Sequence, residues 1–410
     1  MKISIVVFAN KLHSENYVVE QYKRISESIA GLDVDMLWID KGDEEIPEAD
    51  VYIAPLITGG TSRLAYRVLS PLGKPVIIVA KGEHNSLASA LSLRSRLESS
   101  GLKTTLLPLE DNDDFGSRIR DIIDALRATV AFRNLRILEI NEDGSLSDDA
   151  KLYLRIFGGS INSVSIDDIE KIIADFDEKT LESFVREIGS FIDFGEKKLE
   201  VFEPARLALA LEHYVRVRNY DVLLIDCFPM IMKLGYTPCL AVSILNSRGK
   251  IAVCESDYYS LPLMFLSKAL TGFEGWVANP SGYNRDGIIR LAHCTMAYSI
   301  GRNCKLIDHF ETGKACGVSC RYLFGEVAIM RFNRDFSKLK VYRGEVIASG
   351  FLNEGYCRTQ LHVKLRGVKP EDFYLETYGN HHVVAPLVRG FLEKLRIVSW
   401  WFGWSMEVIS

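Results

Sequence analysis

Glu255, His293 and the pair His381-His382 are the side chains here whose types and settings could act on one substrate together. Glu255 follows the apolar run Ile251-Ala252-Val253-Cys254 and opens Glu255-Ser256-Asp257. His293 closes a second apolar run, Ile288–His293. The two adjacent histidines follow Gly379-Asn380 near the end of the chain. Carboxylate oxygen with imidazole nitrogen suits Mn²⁺, Fe²⁺, Co²⁺ or Zn²⁺. A metal held by few protein ligands keeps open positions and can polarise a carbonyl or hydroxyl. Spacing alone does not demand this, since scattered Glu and His residues usually have unrelated roles.

Alternating elements must position these residues. Up to about residue 130, β-rich runs (Lys2–Phe8, Val34–Ile39, Val51–Ile57, Pro75–Ala80, Lys103–Leu107) alternate with helical spacings (Glu15–Ala30, Ser86–Ser99, Phe115–Ala128). That alternation predicts a parallel sheet covered on both faces. Ligands of such sheets sit beyond the carboxyl ends of the strands. Thr58-Gly59-Gly60-Thr61-Ser62 lies at one such end. It either cradles an anion at a helix N-terminus or is a tight turn with a hydroxyl N-cap, the commoner case. His84, in the corresponding loop after Pro75–Ala80, is more often a surface residue than a ligand.

A second α/β region starts near Leu135. The spacing predicts a loop over 141–160, helices over Ser165–Ile173, Lys179–Phe194 and Pro204–Arg218, and the strand Val222–Cys227. Asp226 closes that strand, where it either faces the crevice or caps the next turn. A helix over Pro238–Leu245, the strand Ile251–Cys254 and a helix over Ser260–Leu270 follow. Trp276–Pro280 comes next, with Ala278-Asn279-Pro280 reading as a turn. Beyond about residue 300 short β-like runs separated by turns predict an antiparallel sheet or barrel. The chain closes with a predicted helix over Val383–Lys394 and the tail Trp400-Trp401-Phe402-Gly403-Trp404, either a subunit interface or packed on its own domain. The expected division is an N-terminal α/β domain over 1–132, a second over 133–299 to which 383–410 returns, and a β-rich domain over 300–382.

Composition narrows the function classes. The chain has 410 residues, 48% of them hydrophobic, and a net charge of −5. No basic stripe suggests a nucleic-acid surface. No apolar run reaches the roughly 18–20 residues that span a bilayer. The apolar N-terminus reads as a first strand rather than a signal peptide. Eight cysteines, at 227, 239, 254, 294, 304, 316, 320 and 357, are scattered. Cys316 and Cys320 are the one close pair and have no partner pair at zinc-site spacing, so structural zinc is not suggested. A reducing cytoplasm is expected.

The order of several short stretches resembles the L-fucose/L-arabinose isomerase superfamily, and within it the archaeal and bacterial fucose isomerase-like proteins. The stretches are Gly235-Tyr236-Thr237-Pro238-Cys239, Cys254-Glu255-Ser256-Asp257, Leu270-Thr271-Gly272, Ala278-Asn279, Leu291-Ala292-His293-Cys294-Thr295, Gly344-Glu345 and Gly379-Asn380-His381-His382. Upstream, Ile57–Thr61 and His84–Leu91 also fit. The resemblance implies two N-terminal doubly wound α/β domains with parallel sheets and a C-terminal antiparallel β-barrel-like domain. It implies a metal-dependent aldose–ketose isomerase, commonly with Mn²⁺, acting on a free sugar as a homo-oligomer, a trimer or hexamer. By that resemblance Glu255, Asn279, His293 and His381 hold the metal, with His382 the alternative to His381, and Glu255 and Asn279 occupy the catalytic positions. Asp257, Asp226, His382, Thr58, Gly59, Gly60 and Asn85 are the expected substrate contacts.

Asn279 departs from the pattern. The resembled enzymes carry Asp or Glu there, and a carboxamide cannot take up a proton at neutral pH. Either Glu255 moves the proton alone, or Asp257, Asp286 or Glu345 replaces the missing base, or the protein binds a sugar or metabolite without turning it over.

Overall fold

In a computed structural model, residues 1–10, 13–111, 113–173 and 176–409 are described. The chain forms two units: Met1–Val130 with Glu393–Trp401, and Ala131–Leu392 with Phe402–Ser410.

In the first unit, β1 (Ile3–Phe8), β2 (Asp35–Ile39), β3 (Val51–Leu56), β4 (Val76–Lys81) and β5 (Thr104–Leu109) make a parallel sheet in the order β2-β1-β3-β4-β5. Val51–Leu56 is buried throughout, as a strand covered on both faces must be. Helices α1 (Glu15–Ser28), α2 (Ser62–Leu69), α3 (Ser86–Ser99) and α4 (Phe115–Phe132) alternate with the strands. Ala65 and Leu69 of α2 and Ala90, Leu93 and Leu97 of α3 pack against the sheet residues Ala54, Leu56, Ile78 and Ala80. Each such large aliphatic side chain removed from water contributes about 1.5–3 kcal/mol.

The second unit holds another parallel sheet, β10-β9-β6-β7, built from β6 (Arg136–Asn141), β7 (Ser160–Ser165), β9 (Val222–Ile225) and β10 (Ile251–Cys254). Between β7 and β9 lies the short β8 (Ile192–Asp193). The helices here are α5 (Asp148–Phe157), α6 (Ile166–Ile173), α7 (Glu178–Ile188), α8 (Phe202–Val217), α9 (Cys227–Leu234), α10 (Cys239–Ser247) and α11 (Leu261–Thr271).

Then come β11 (Trp276–Tyr283), β12 (Ile288–His293), β13 (Gly301–Ile307), β14 (Gly317–Tyr322), β15 (Glu326–Phe332), β16 (Lys338–Gly350), β17 (Thr359–Leu365), the short helix α12 (Pro370–Glu376), β18 (His382–Pro386), the helix α13 (Phe391–Phe402) and β19 (Ser405–Ile409). The order β15-β18-β11-β12-β17-β16 closes on itself through β15–β16, forming a six-stranded antiparallel barrel. β19 adds to β16 in parallel. β13 bridges β14 and β8 in a small separate sheet. The architecture is thus α/β with two parallel sheets and a closed antiparallel barrel late in the chain. No helix among the described residues is long and apolar enough to cross a membrane.

Several stretches differ from the sequence expectation, among them the predicted helix over Lys179–Phe194, which ends at Ile188 and gives way to β8. The predicted loop over 141–160 contains α5, capped by Ser147, whose hydroxyl accepts from the Ala150 N–H at 3.1 Å. Ala278-Asn279-Pro280 is not a turn but part of β11, whose register shifts between Pro280 and Tyr283, where proline is tolerated. Val383–Lys394 begins as β18, buried in the barrel wall, and becomes helical only at Phe391. A short apolar run does not separate a buried strand from a helix by periodicity. The cysteine that pairs with Cys320 is Cys304, in a disulfide joining β13 and β14.

Candidate metal centre

Three stretches remote in sequence deliver three donor side chains to one place. Glu255 lies at the carboxyl end of β10, where the chain turns sharply. Both Glu255 (φ +56°) and Ser256 (φ +44°) are left-handed. Non-glycine residues enter that region at a cost and persist where surrounding structure holds them. Here the Ser256 N–H donates to Ile225 O of β9 at 3.0 Å, and the Asp257 N–H to Cys254 O at 3.2 Å. His293 ends β12, and His381 stands one residue before β18.

One donor atom from each of Glu255, His293 and His381 lies within 4.8 Å of the others. Glu255 Oε2 faces His381 Nε2 at 3.4 Å, and Oε1 faces His293 Nε2 at 3.8 Å. The two imidazoles meet edge to face at 5.5 Å between centroids. Both Nε2 atoms are buried and have no hydrogen-bond partner. Buried polar atoms are nearly always partnered, so two orphaned ring nitrogens aimed at one carboxylate fit a cation.

Asp257 stands behind His381. Its Oδ2 lies 3.1 Å from His381 Nδ1 and also accepts from Arg331 Nη1 at 2.8 Å and Ser260 Oγ at 2.5 Å. Its Oδ1 accepts the Tyr259 N–H at 2.9 Å. The Arg331 guanidinium lies over the Tyr259 ring at 5.1 Å. A carboxylate on one imidazole nitrogen fixes the tautomer that leaves the other free for metal. With both oxygens engaged, Asp257 has an orienting place rather than an open face for substrate. Arg331 escaped the sequence reading. Its only signal was a lone charge inside the apolar run Ala328-Ile329-Met330-Arg331-Phe332.

The protonation behaviour follows. Burial works against the His381 imidazolium, but Asp257 and Glu255 outweigh it and raise its pKa to about 9, so a metal bound at Nε2 would displace a proton from it near neutral pH. Burial dominates at His293, lowering it to about 4. Glu255 falls below its usual range, since His381 and His293 offset its own burial. His382 is fully buried and turned elsewhere, with Nε2 on Thr377 Oγ1 and Nδ1 on Asn380 O. His381, not His382, therefore faces Glu255.

Asn279 pairs with Ala292 across β11–β12, one position from His293, and its neighbour Ala278 pairs with His382. Its Oδ1 is buried without a partner. Asp226 occupies the N-cap position of α9 but makes no capping bond. Burial, with Glu142 and Glu255 adding to it, raises its carboxyl. Asp286 is exposed in the β11–β12 turn, bonded to Asn284, and Glu345 is exposed on β16 opposite Glu326.

Thr58, Gly59, Gly60 and Asn85 belong to the first unit. Thr58 Oγ1 accepts the Asn10 N–H at 2.8 Å, the Gly59 N–H donates to His84 O at 2.7 Å, and Thr61 Oγ1 donates to Thr58 O at 3.0 Å. Asn85 is left-handed and precedes α3. Thr58 Oγ1, the Gly59 N–H and Thr61 Oγ1 are thus bonded within the chain. A cavity of about 390 Å³ beside it is lined by Asn10, His13, Glu15, Trp38 and Asp40, and its two carboxylates do not favour an anion.

No family model matches the chain, and a search of curated proteins finds no match.

Proposed function

We propose that Glu255, His293 and His381, with Asn279 Oδ1 completing the set, hold a divalent metal, Mn²⁺ by the resemblance. On this reading the protein is a metal-dependent aldose–ketose isomerase acting on a free sugar. The observation that carries the reading is the pair of buried, unpartnered imidazole nitrogens facing one carboxylate. A hard or borderline divalent cation suits one oxygen and two nitrogens. When bound it would polarise the sugar's carbonyl and neighbouring hydroxyl.

The chain's own residues divide the remaining work. Glu255, with an exposed edge and a depressed pKa, takes the proton from one sugar carbon and returns it to the next through an enediol. Asp257 and Arg331 hold His381 in register. Asn279 can orient a hydroxyl but cannot carry a proton. Asp226, raised by burial and in electrostatic reach of Glu255, is the second proton-holding group this site offers.

The test is solvent-deuterium incorporation at C1 and C2 across a panel of aldoses and ketoses with Mn²⁺. The expected outcome is exchange with one sugar, abolished in Glu255→Gln. No exchange with any sugar sinks the isomerase reading. The amide at Asn279 favours one alternative, a sugar or metabolite binder without turnover. Sugar binding without exchange, with exchange appearing in Asn279→Asp, would establish that alternative.

A further inference from the structure

A second group of metal-binding side chains lies outside the Glu255 cluster. One ligand atom each of Cys294, Glu311 and Cys357 falls within 4.8 Å of the others. Cys357 Sγ stands 3.6 Å from Glu311 Oε1. The Cys294 thiol meets the thiols of both Cys357 and Cys239. None of these cysteines is in a disulfide.

Four separate segments bring the group together. Cys239 is the first residue of α10, where the helix N-terminus favours a thiolate. Cys294 follows β12, Glu311 lies between β13 and β14, and Cys357 lies between β16 and β17. His309, 3% exposed, places Nδ1 3.4 Å from Glu311 Oε2 and 3.2 Å from Thr312 Oγ1, so the carboxylate has its own supporting partner. A cysteine used as a small hydrophobe sits among apolar neighbours. Two thiols in reach of a carboxylate that an imidazole backs depart from that pattern and have the make-up of a ligand set.

The arrangement also has an entrance. Cys239 and Cys294 are buried, Cys357 is half-buried and Glu311 is exposed, so the set opens to solvent on one side. Sulfur donors select against Mn²⁺ and Mg²⁺ and for thiophilic ions, and two thiolates with a carboxylate would fill three positions of a tetrahedral zinc. We infer that Cys294, Cys357 and Glu311 form a second metal site, specific for a thiophilic divalent cation such as Zn²⁺, with the Cys239 thiol beside Cys294. This inference does not depend on the isomerase reading.

Co²⁺ titration of the reduced full-length protein tests it. Thiolate ligation produces a sulfur-to-cobalt charge-transfer band in the near ultraviolet that the Glu255 cluster, lacking sulfur, cannot produce. The expected result is a band that saturates with one equivalent of Co²⁺, is displaced by Zn²⁺ and survives in Glu255→Gln. Loss of an outer-shell partner typically weakens a metal 10–100-fold and loss of a ligand costs at least as much, so Cys357→Ser should weaken Co²⁺ by about tenfold or more. Glu311→Gln, on an exposed side chain, should weaken it as well. A missing band, or one undiminished in Cys357→Ser, overturns the proposal. So does air oxidation that consumes a pair of these thiols in protein that takes up no metal when reduced.

Discussion

Asp257 decides which nitrogen His381 offers. Its Oδ2 gathers His381, Arg331 and Ser260, all buried. Asp257→Asn keeps the shape and removes the charge. It should weaken Mn²⁺ about 10–100-fold, read by calorimetric titration. It also strands the buried Arg331, for a loss of roughly 3–5 kcal/mol in urea unfolding. Mn²⁺ affinity unchanged in this variant would remove Asp257 from the orienting role. At this scale the sequence was only partly readable. Glu255, His293 and the His381-His382 pair stood out because imidazole and carboxylate are unusual beside apolar runs. The choice between the two histidines needed the strand: Ala278 pairs with His382 and sends it to Thr377, leaving His381 for Glu255. The Cys239–Cys294–Cys357 meeting was invisible because its members lie tens of residues apart at no ligand spacing.

At the scale of elements, two turns of the first unit are testable. A Cβ at Gly59 would stand 2.7 Å from Asn85 Cβ, 3.1 Å from Asn85 O and 3.2 Å from His84 O. Backbone cannot yield as a side-chain tip can, so Gly59→Ala should cost about 1–3 kcal/mol, measured by thermal or urea unfolding. Glu44 closes the turn after β2, accepting the N–H groups of Asp40, Lys41 and Gly42 at 2.8, 2.9 and 2.7 Å. Those bonds, Lys41's foremost, lower its pKa from 4.5 to about 2. The folded value lies below the unfolded one, so the native state binds fewer protons. The stabilisation is therefore complete above the unfolded pKa and fades as pH falls from 4.5 toward 2. Urea midpoints taken between about pH 5 and pH 3 should fall less steeply in Glu44→Gln than in the parent. An identical slope would show that the turn contributes nothing to acid sensitivity. The strands of the first sheet were legible because each carries a short run of apolar residues, unbroken in β4 (Val76-Ile77-Ile78-Val79-Ala80). β7 was not, because Ser160-Ile161-Asn162-Ser163-Val164-Ser165 forms an edge strand without a buried face to mark it.

At the scale of the molecule, the barrel brings His293 and His381 to Glu255 although 126 residues of numbering separate the outermost pair (381 − 255). Only strand pairing could make that meeting, so composition and periodicity could announce a β-rich region without its closure. The C-terminal tail is tied down within each unit. Trp404, 7% exposed, stacks on Phe402 at 4.8 Å and meets Phe332 at 4.7 Å, so Trp404→Ala should cost about 3–5 kcal/mol in urea unfolding. In the first unit, Trp400 Nε1 donates to Thr104 O at 3.2 Å and Lys394 stands 3.8 Å from Asp121. That unit is discontinuous: it takes Glu393–Trp401 from the far end of the chain. During synthesis its own sheet therefore leaves the ribosome long before the segment that covers part of it. At about 5–20 residues per second, the stretch between Val130 and Glu393 imposes a wait of roughly 10–50 s. For that interval the nascent N-terminal unit lacks the segment that completes it, which makes it the stage at which chaperone capture and aggregation compete with completion of the fold.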